Sequence, residues 1–164
     1  MTRIWNYFFY STWQLNFAIG NLMEVPIHRL SQQIPFMRKN SKEKREGFHR
    51  LMHDLDSGIN VELSFRAMFM STAIVYSIVF LILVTELKIN VKDTLYYYAI
   101  LNIGLAYLTN HFFLFRADIY KKYFKEFDKI QNKTIIYLSA IFFHLGAYVF
   151  SLLLIYFTTG FNLP

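Results

Sequence analysis

"AMFMSTAIVYSIVFLILV", residues 67 to 84, is a run of 18 residues without a charge and with two hydroxyl side chains, Ser71 and Thr72, before its single tyrosine. As a helix it measures about 27 Å at 1.5 Å per residue, against roughly 30 Å for the hydrocarbon core of a bilayer. It belongs to a gap of 19 uncharged residues between Arg66 and Glu86. The same spacing recurs: 20 uncharged residues between Arg3 and Glu24, 22 between Asp93 and Arg116, and no charge at all after Lys133. The fold expected is therefore all-α, a polytopic membrane protein with three or four transmembrane helices and cytoplasmic helical extensions. Three spans, 67 to 85, 94 to 115 and 134 to 158, fall within residues 66 to 164.

Composition agrees with that class. Of the 164 residues, 55% are hydrophobic, 20% aromatic and only 17% charged, where a soluble domain carries roughly a quarter charged residues. The chain is too short for the duplicated halves of most secondary transporters. It has no cysteine, which excludes disulfides, thiolate zinc sites and cysteine nucleophiles. "TLYYYAILNIGLAYLTNHFFLF" (94 to 115) opens on three tyrosines suited to an interfacial aromatic belt.

Residues 1 to 24 form an N-terminal helix that either spans or lies at the interface. "IWNYFFYSTWQLNFAIGNLM" (4 to 23) is long enough to cross, but Asn6, Ser11, Thr12, Gln14, Asn16 and Asn21 are spread around every face. Crossing requires that neighbouring helices satisfy those polar groups; lying flat would put Trp5 and Trp13 at headgroup level. The interrupted apolar stretch and the lack of a small-residue cleavage pattern argue against a signal peptide.

Lysine and arginine set the orientation. Of 17 such residues, 14 lie in the two long connections, 24 to 66 and 116 to 133. The positive-inside rule places these in the cytoplasm of a cell inner membrane and the C-terminus outside.

Both connections are expected to be helical. In the segment 25 to 65, Pro26 can open a short helix that Pro35 ends, and Phe48, Leu51, Met52 and Leu55 then form an apolar stripe that needs a partner. Gly58 is the expected stop. The basic connection 116 to 133 continues the preceding span as a stalk, with Ile119, Tyr123, Phe127 and Ile130 on one side and Asp118 paired to Lys122.

Candidate chemistry is sparse. His49 and His53 share a helix face at zinc-ligand spacing, with Asp56 nearby, but no HExxH motif or third ligand completes a site. Phosphate-binding glycine loops, a G-x-S-x-G elbow and nucleophile–base pairs are all missing. Neither an enzyme nor a metal or cofactor site is expected. "YKKYFKEF" (120 to 127) puts Lys121, Lys122 and Lys125 beside rings, a pattern that can hold phosphates while an aromatic stacks on a base, or that meets anionic headgroups. "RKNSKEKRE" (38 to 46) offers Arg38 and Lys39 in a more diluted patch.

Within the three strong spans there is no Asp, Glu, Lys or Arg, which argues against ion-coupled transport. The polar candidates for a pore or gate are Asn102, Asn110, His111 and His144. The two histidines differ in depth by roughly 9 Å, too much for one haem. Each can serve as an interhelical hydrogen-bonding group, or line a path on an oligomer axis. Gly104, Ala106, Gly146 and Ala147 would allow close approach of neighbouring copies.

The function expected is an oligomeric channel or pore-forming protein, controlled from its basic cytoplasmic side. In size, topology and basic cytoplasmic segments the layout is similar to the small transmembrane effectors of bacterial anti-phage systems. That similarity implies a nucleotide or oligonucleotide signal at Lys121, Lys122 and Lys125. The alternative is a non-conducting anchor or accessory subunit that recruits a cytosolic regulatory protein through residues 26 to 60, with Phe48, Leu51, Met52 and Leu55 as its contacts. In either case the partners expected are the lipid bilayer and further copies of the chain.

Overall fold

The computed structural model describes residues 1–33, 46–47, 49–52, 54–56, 58–88 and 95–159. Arg38, Lys39, Phe48 and His53 lie outside the described residues. Every regular element among them is helical. Three helices are long and apolar enough to cross a membrane, and the N-terminal helix is not one of the three.

Helix α1 (Thr2–Gln33) runs unbroken through Pro26, so the break expected there does not occur. Proline removes one backbone bond and crowds the carbonyl four residues earlier. Here Leu22 and Pro26 are both exposed, and a carbonyl left without its partner can open outward. Helix α2 (Ile59–Glu86) starts eight residues before the expected span. Gly58 marks the boundary for a steric reason: a Cβ there would lie 2.2 Å from the Asp54 carbonyl oxygen, which accepts the Gly58 N–H at 2.9 Å.

Helix α3 (Leu95–Asn110) does not continue as a stalk. It widens into a π-helical turn, His111–Phe115, where the Arg116 N–H bonds to the His111 carbonyl. A 3-10 turn, Arg116–Asp118, follows, and in it Ala117 (φ 53°) and Asp118 (φ 54°) are both left-handed. An L-residue there costs roughly 1–2 kcal/mol. The chain turns back, and α4 (Ile119–Phe127) lies against α1.

The reversal changes two expectations. The buried face of α4 is Tyr120, Phe124 and Phe127, turned slightly from the expected stripe, of which Phe127 is buried and Tyr123 and Ile130 pack at the edge of the core. Asp118 pairs with Lys121 (3.4 Å) and not with Lys122, because it precedes the new helix.

Helix α5 (Lys133–Thr159) completes the bundle. Helix α2 packs on both α3 and α5, and α1 is lodged against α2, α4, α5 and the π-helical turn. The core is an aromatic layer where α1 meets α4: Phe9, Tyr10, Phe124 and Phe127 are buried, with Trp13 packed 5.2 Å from the Phe124 ring. The outward faces of α3 and α5 remain apolar and exposed, as in Leu108, Phe142, Leu145 and Leu152.

Candidate functional site

The polar side chains of α1 that defied a helical face are the centre of the bundle. Asn6, Thr12, Gln14 and Asn16 are each hydrogen-bonded, whereas the buried Ser11 hydroxyl has no partner among the described residues. Asn6 is fully buried, and its Nδ2 donates to the Phe113 carbonyl (2.8 Å) and back to Thr2 (2.8 Å). Phe113 lies where the last carbonyls of a helix lose their backbone donors, so Asn6 caps α3 from another element.

Trp5 Nε1 donates to Asn110 Oδ1 (3.2 Å), while Asn110 Nδ2 donates to Thr72 Oγ1 (3.1 Å) and to the Ala106 carbonyl (2.8 Å). Asn16 reaches Ser64 on α2 (2.9 Å), and Tyr7 contacts Ser139 on α5 (3.2 Å). At the α4 end, the Tyr10 hydroxyl donates to Asp128 (2.7 Å) and accepts from Gln14 (2.8 Å). Burial, and then the bonded carboxylate, hold that phenol well above its ordinary pKa.

His144 ties three helices together. Its Nε2 lies 2.9 Å from Thr12 Oγ1 and its Nδ1 2.7 Å from Ser71 Oγ. The Thr12 hydroxyl proton is directed to the Phe8 carbonyl (2.8 Å), so Nε2–H must donate to Thr12 and Nδ1 must accept from Ser71. A neutral imidazole has one donor and one acceptor. Both are occupied within one chain, so His144 has nothing to offer a permeant ion in this arrangement.

The remaining pore candidates separate. Asn110 is buried in the network just described. Asn102 donates from Nδ2 to Ser77, and its Oδ1 has no partner among the described residues. His111 is exposed, with its ring stacked on Tyr107 at 5.8 Å. His111 and His144 are therefore not facing ligands of one site.

The basic candidates separate too. Lys121 is paired with Asp56 and Asp118, which ties α4 to the turn before α2, as does the bond from Tyr120 OH to the Leu55 carbonyl (2.7 Å). Lys122 and Lys125 are exposed. Of the partner stripe, Leu51 is exposed and Met52 half-buried, with its Cε close to Gly20 of α1, while Leu55 packs on the core. His49 meets the Phe17 ring edge-on at 6.5 Å. Among the described residues no cluster of three potential metal ligands occurs.

Sequence reasoning missed two features. One is the set of α1 partners, for which the scatter of polar residues was the visible signal. The other is the reversal at 116–118, which has no glycine to announce it. No protein family, curated protein or solved structure matches this chain.

Proposed function

We propose that this chain is an oligomeric channel or pore-forming protein of the cell inner membrane, with its basic connections in the cytoplasm and its C-terminus outside. It is gated from that basic side and has no enzymatic role. The observation that carries this reading is the left-handed reversal at Ala117–Asp118. Within the span-capable stretch Tyr96–Phe127, a π-helical turn and two residues in a costly conformation join the apolar α3 to the basic, amphipathic α4, and such bulges are frequent at functional sites.

In the folded-back state α4 covers the aromatic core and grips α1. Helix α1 is in turn bonded to α2, α3 and α5, so a ligand that lifts α4 acts on every helix. Lys122 and Lys125, exposed on α4, suit an anionic ligand, with a nucleotide or oligonucleotide as the class that the defence-effector layout implies. A conducting path would form between copies, nearest Asn102 and His111, because Asn110 and His144 are tied up within each chain.

The test is ion flux from liposomes together with the oligomeric state. Ala117→Val penalises the left-handed turn and should open the protein; Ala117→Gly should hold it closed. A purified protein that remains monomeric, with no flux from either variant, would overturn the proposal. A second reading, a non-conducting anchor for a cytosolic partner, is favoured by one observation: Leu51 stands exposed beside Leu55, which is packed. That reading predicts a co-purifying protein lost on Leu51→Asp.

A further inference from the structure

Helices α3 and α5 both pack on α2, and between them lies an open cleft of about 700 Å³. Ile4 and Trp5 of α1 border it on one side; Val75 and Tyr76 of α2, Phe113, and Gly146 and Phe150 of α5 supply most of the rest. Its size falls in the range of small-molecule sites.

Two features of the lining define the chemistry of an occupant. First, its polar side chains are already mated within the chain. Ser71 is bonded to His144, Thr72 to Asn110, Trp5 to Asn110, and Tyr76 to Thr109 at 2.8 Å. A sugar, nucleotide or other polar ligand would have to lose its own hydrogen bonds with little to replace them. Second, the walls come from the middle of the span-capable helices: residues 71–76 of Ile59–Val84 and 143–150 of Lys133–Leu153. At that depth the surrounding solvent is hydrocarbon. The space is open at Gly146, where a Cβ would meet no atom within 4 Å.

From this we infer that the cleft is a binding site for an acyl chain of a membrane phospholipid, inserted between α3 and α5 against Trp5. The inference rests on the membrane placement proposed above, but not on channel activity. The bound chain completes the bundle by filling a seam that the protein's own side chains leave open, so lipid composition would set how firmly α3 and α5 are held.

The chain has two tryptophans, so Trp13→Phe leaves Trp5 as the sole tryptophan, to be excited selectively over the 12 tyrosines. The protein is reconstituted into phosphatidylcholine vesicles with plain or brominated acyl chains, and quenching of Trp5 is measured. Gly146→Phe puts a ring into the cleft and should reduce quenching roughly twofold, as expected for a site that encloses most of its ligand. Gly104→Phe on α3, also at a position with no atom near the added Cβ and outside the cleft lining, should leave quenching unchanged. Where Gly146→Phe does not fold, Ala147→Leu makes a smaller intrusion at the same wall. Native mass spectrometry of the unaltered protein should show retained phospholipid, depleted in the Gly146 variant.

Equal quenching with and without the cleft filled would overturn the inference. So would a Trp5 that bromine does not quench in a protein that remains vesicle-bound, the result expected if a second copy covers the cleft. Protein washed from the vesicles by alkaline carbonate would instead break the membrane placement itself.

Discussion

Helices α1 and α5 invert the arrangement of a soluble core. The N-terminal half of α1 carries Asn6, Ser11, Thr12 and Gln14, all of them buried. Helix α5 is the more apolar by composition, yet Leu138, Phe142, Leu145, Val149 and Leu152 are exposed. In water so large an apolar face would need a partner to cover it. In hydrocarbon the pattern is the economical one, since lipid gives apolar side chains no reason to leave it while polar groups must find partners inside the protein. The polar helix becomes the core because it has the most bonds to make.

The strongest way to break this contrast is at the aromatic layer that α1 shares with α4. Phe124→Ala, at a position 1% exposed, should cost about 3–5 kcal/mol, the range for deleting a buried ring. Thermal unfolding followed by tryptophan fluorescence would record it, since Trp13 packs against that ring.

A smaller loss is expected at the three-helix bond. His144→Leu leaves Ser71 without a partner, and an unsatisfied buried hydroxyl costs about 1–3 kcal/mol. Denaturant titration in detergent would measure this. Adding Ser71→Ala should recover part of the loss, whereas a purely steric effect would give no recovery.

At the reversal the sign is opposite. Ala117→Gly should stabilise the folded-back state by about 1 kcal/mol, because glycine adopts φ near 53° without the Cβ penalty. Slower amide exchange across residues 119–127 is the expected signature. The smallest effect belongs to the exposed face of α5: Phe142→Leu should change stability by no more than about 0.5 kcal/mol. A loss comparable to that at Phe124 would mean that Phe142 is covered in the assembled protein, and would locate an interface between copies.

Much of the fold was legible in the sequence. Charge-free gaps located the three span-capable helices, because the length of an uncharged run is a one-dimensional property. Gly58 was also legible as a boundary, although the cause is a close approach to Asp54 rather than a helix stop alone. The break at Pro26 was overestimated, since periodicity does not tell whether a freed carbonyl faces outward.

The candidate site was less legible. His144 stood out among apolar residues, but its partners, Thr12 and Ser71, are 132 and 73 positions away. Lys121 looked like a free cation until the fold placed Asp56 beside it. The stripe expected on α4 took in Tyr123, Phe127 and Ile130, which do pack on the core, but not the more buried Tyr120 and Phe124; the left-handed pair at Ala117 and Asp118 was not legible, since neither residue type signals such a turn as glycine would.

The amino-acid sequence by itself determined the all-helical class, which segments are apolar enough to cross a membrane, and that uncharged polar groups would have to be satisfied among them. These follow from local composition and the 1.5 Å rise of a helix. Tertiary structure alone decided which polar group meets which, that α4 folds back instead of extending, and that a cleft remains between α3 and α5. Those outcomes depend on contacts between residues distant in the chain, where hydrogen bonding and aromatic packing outweigh the local conformational cost.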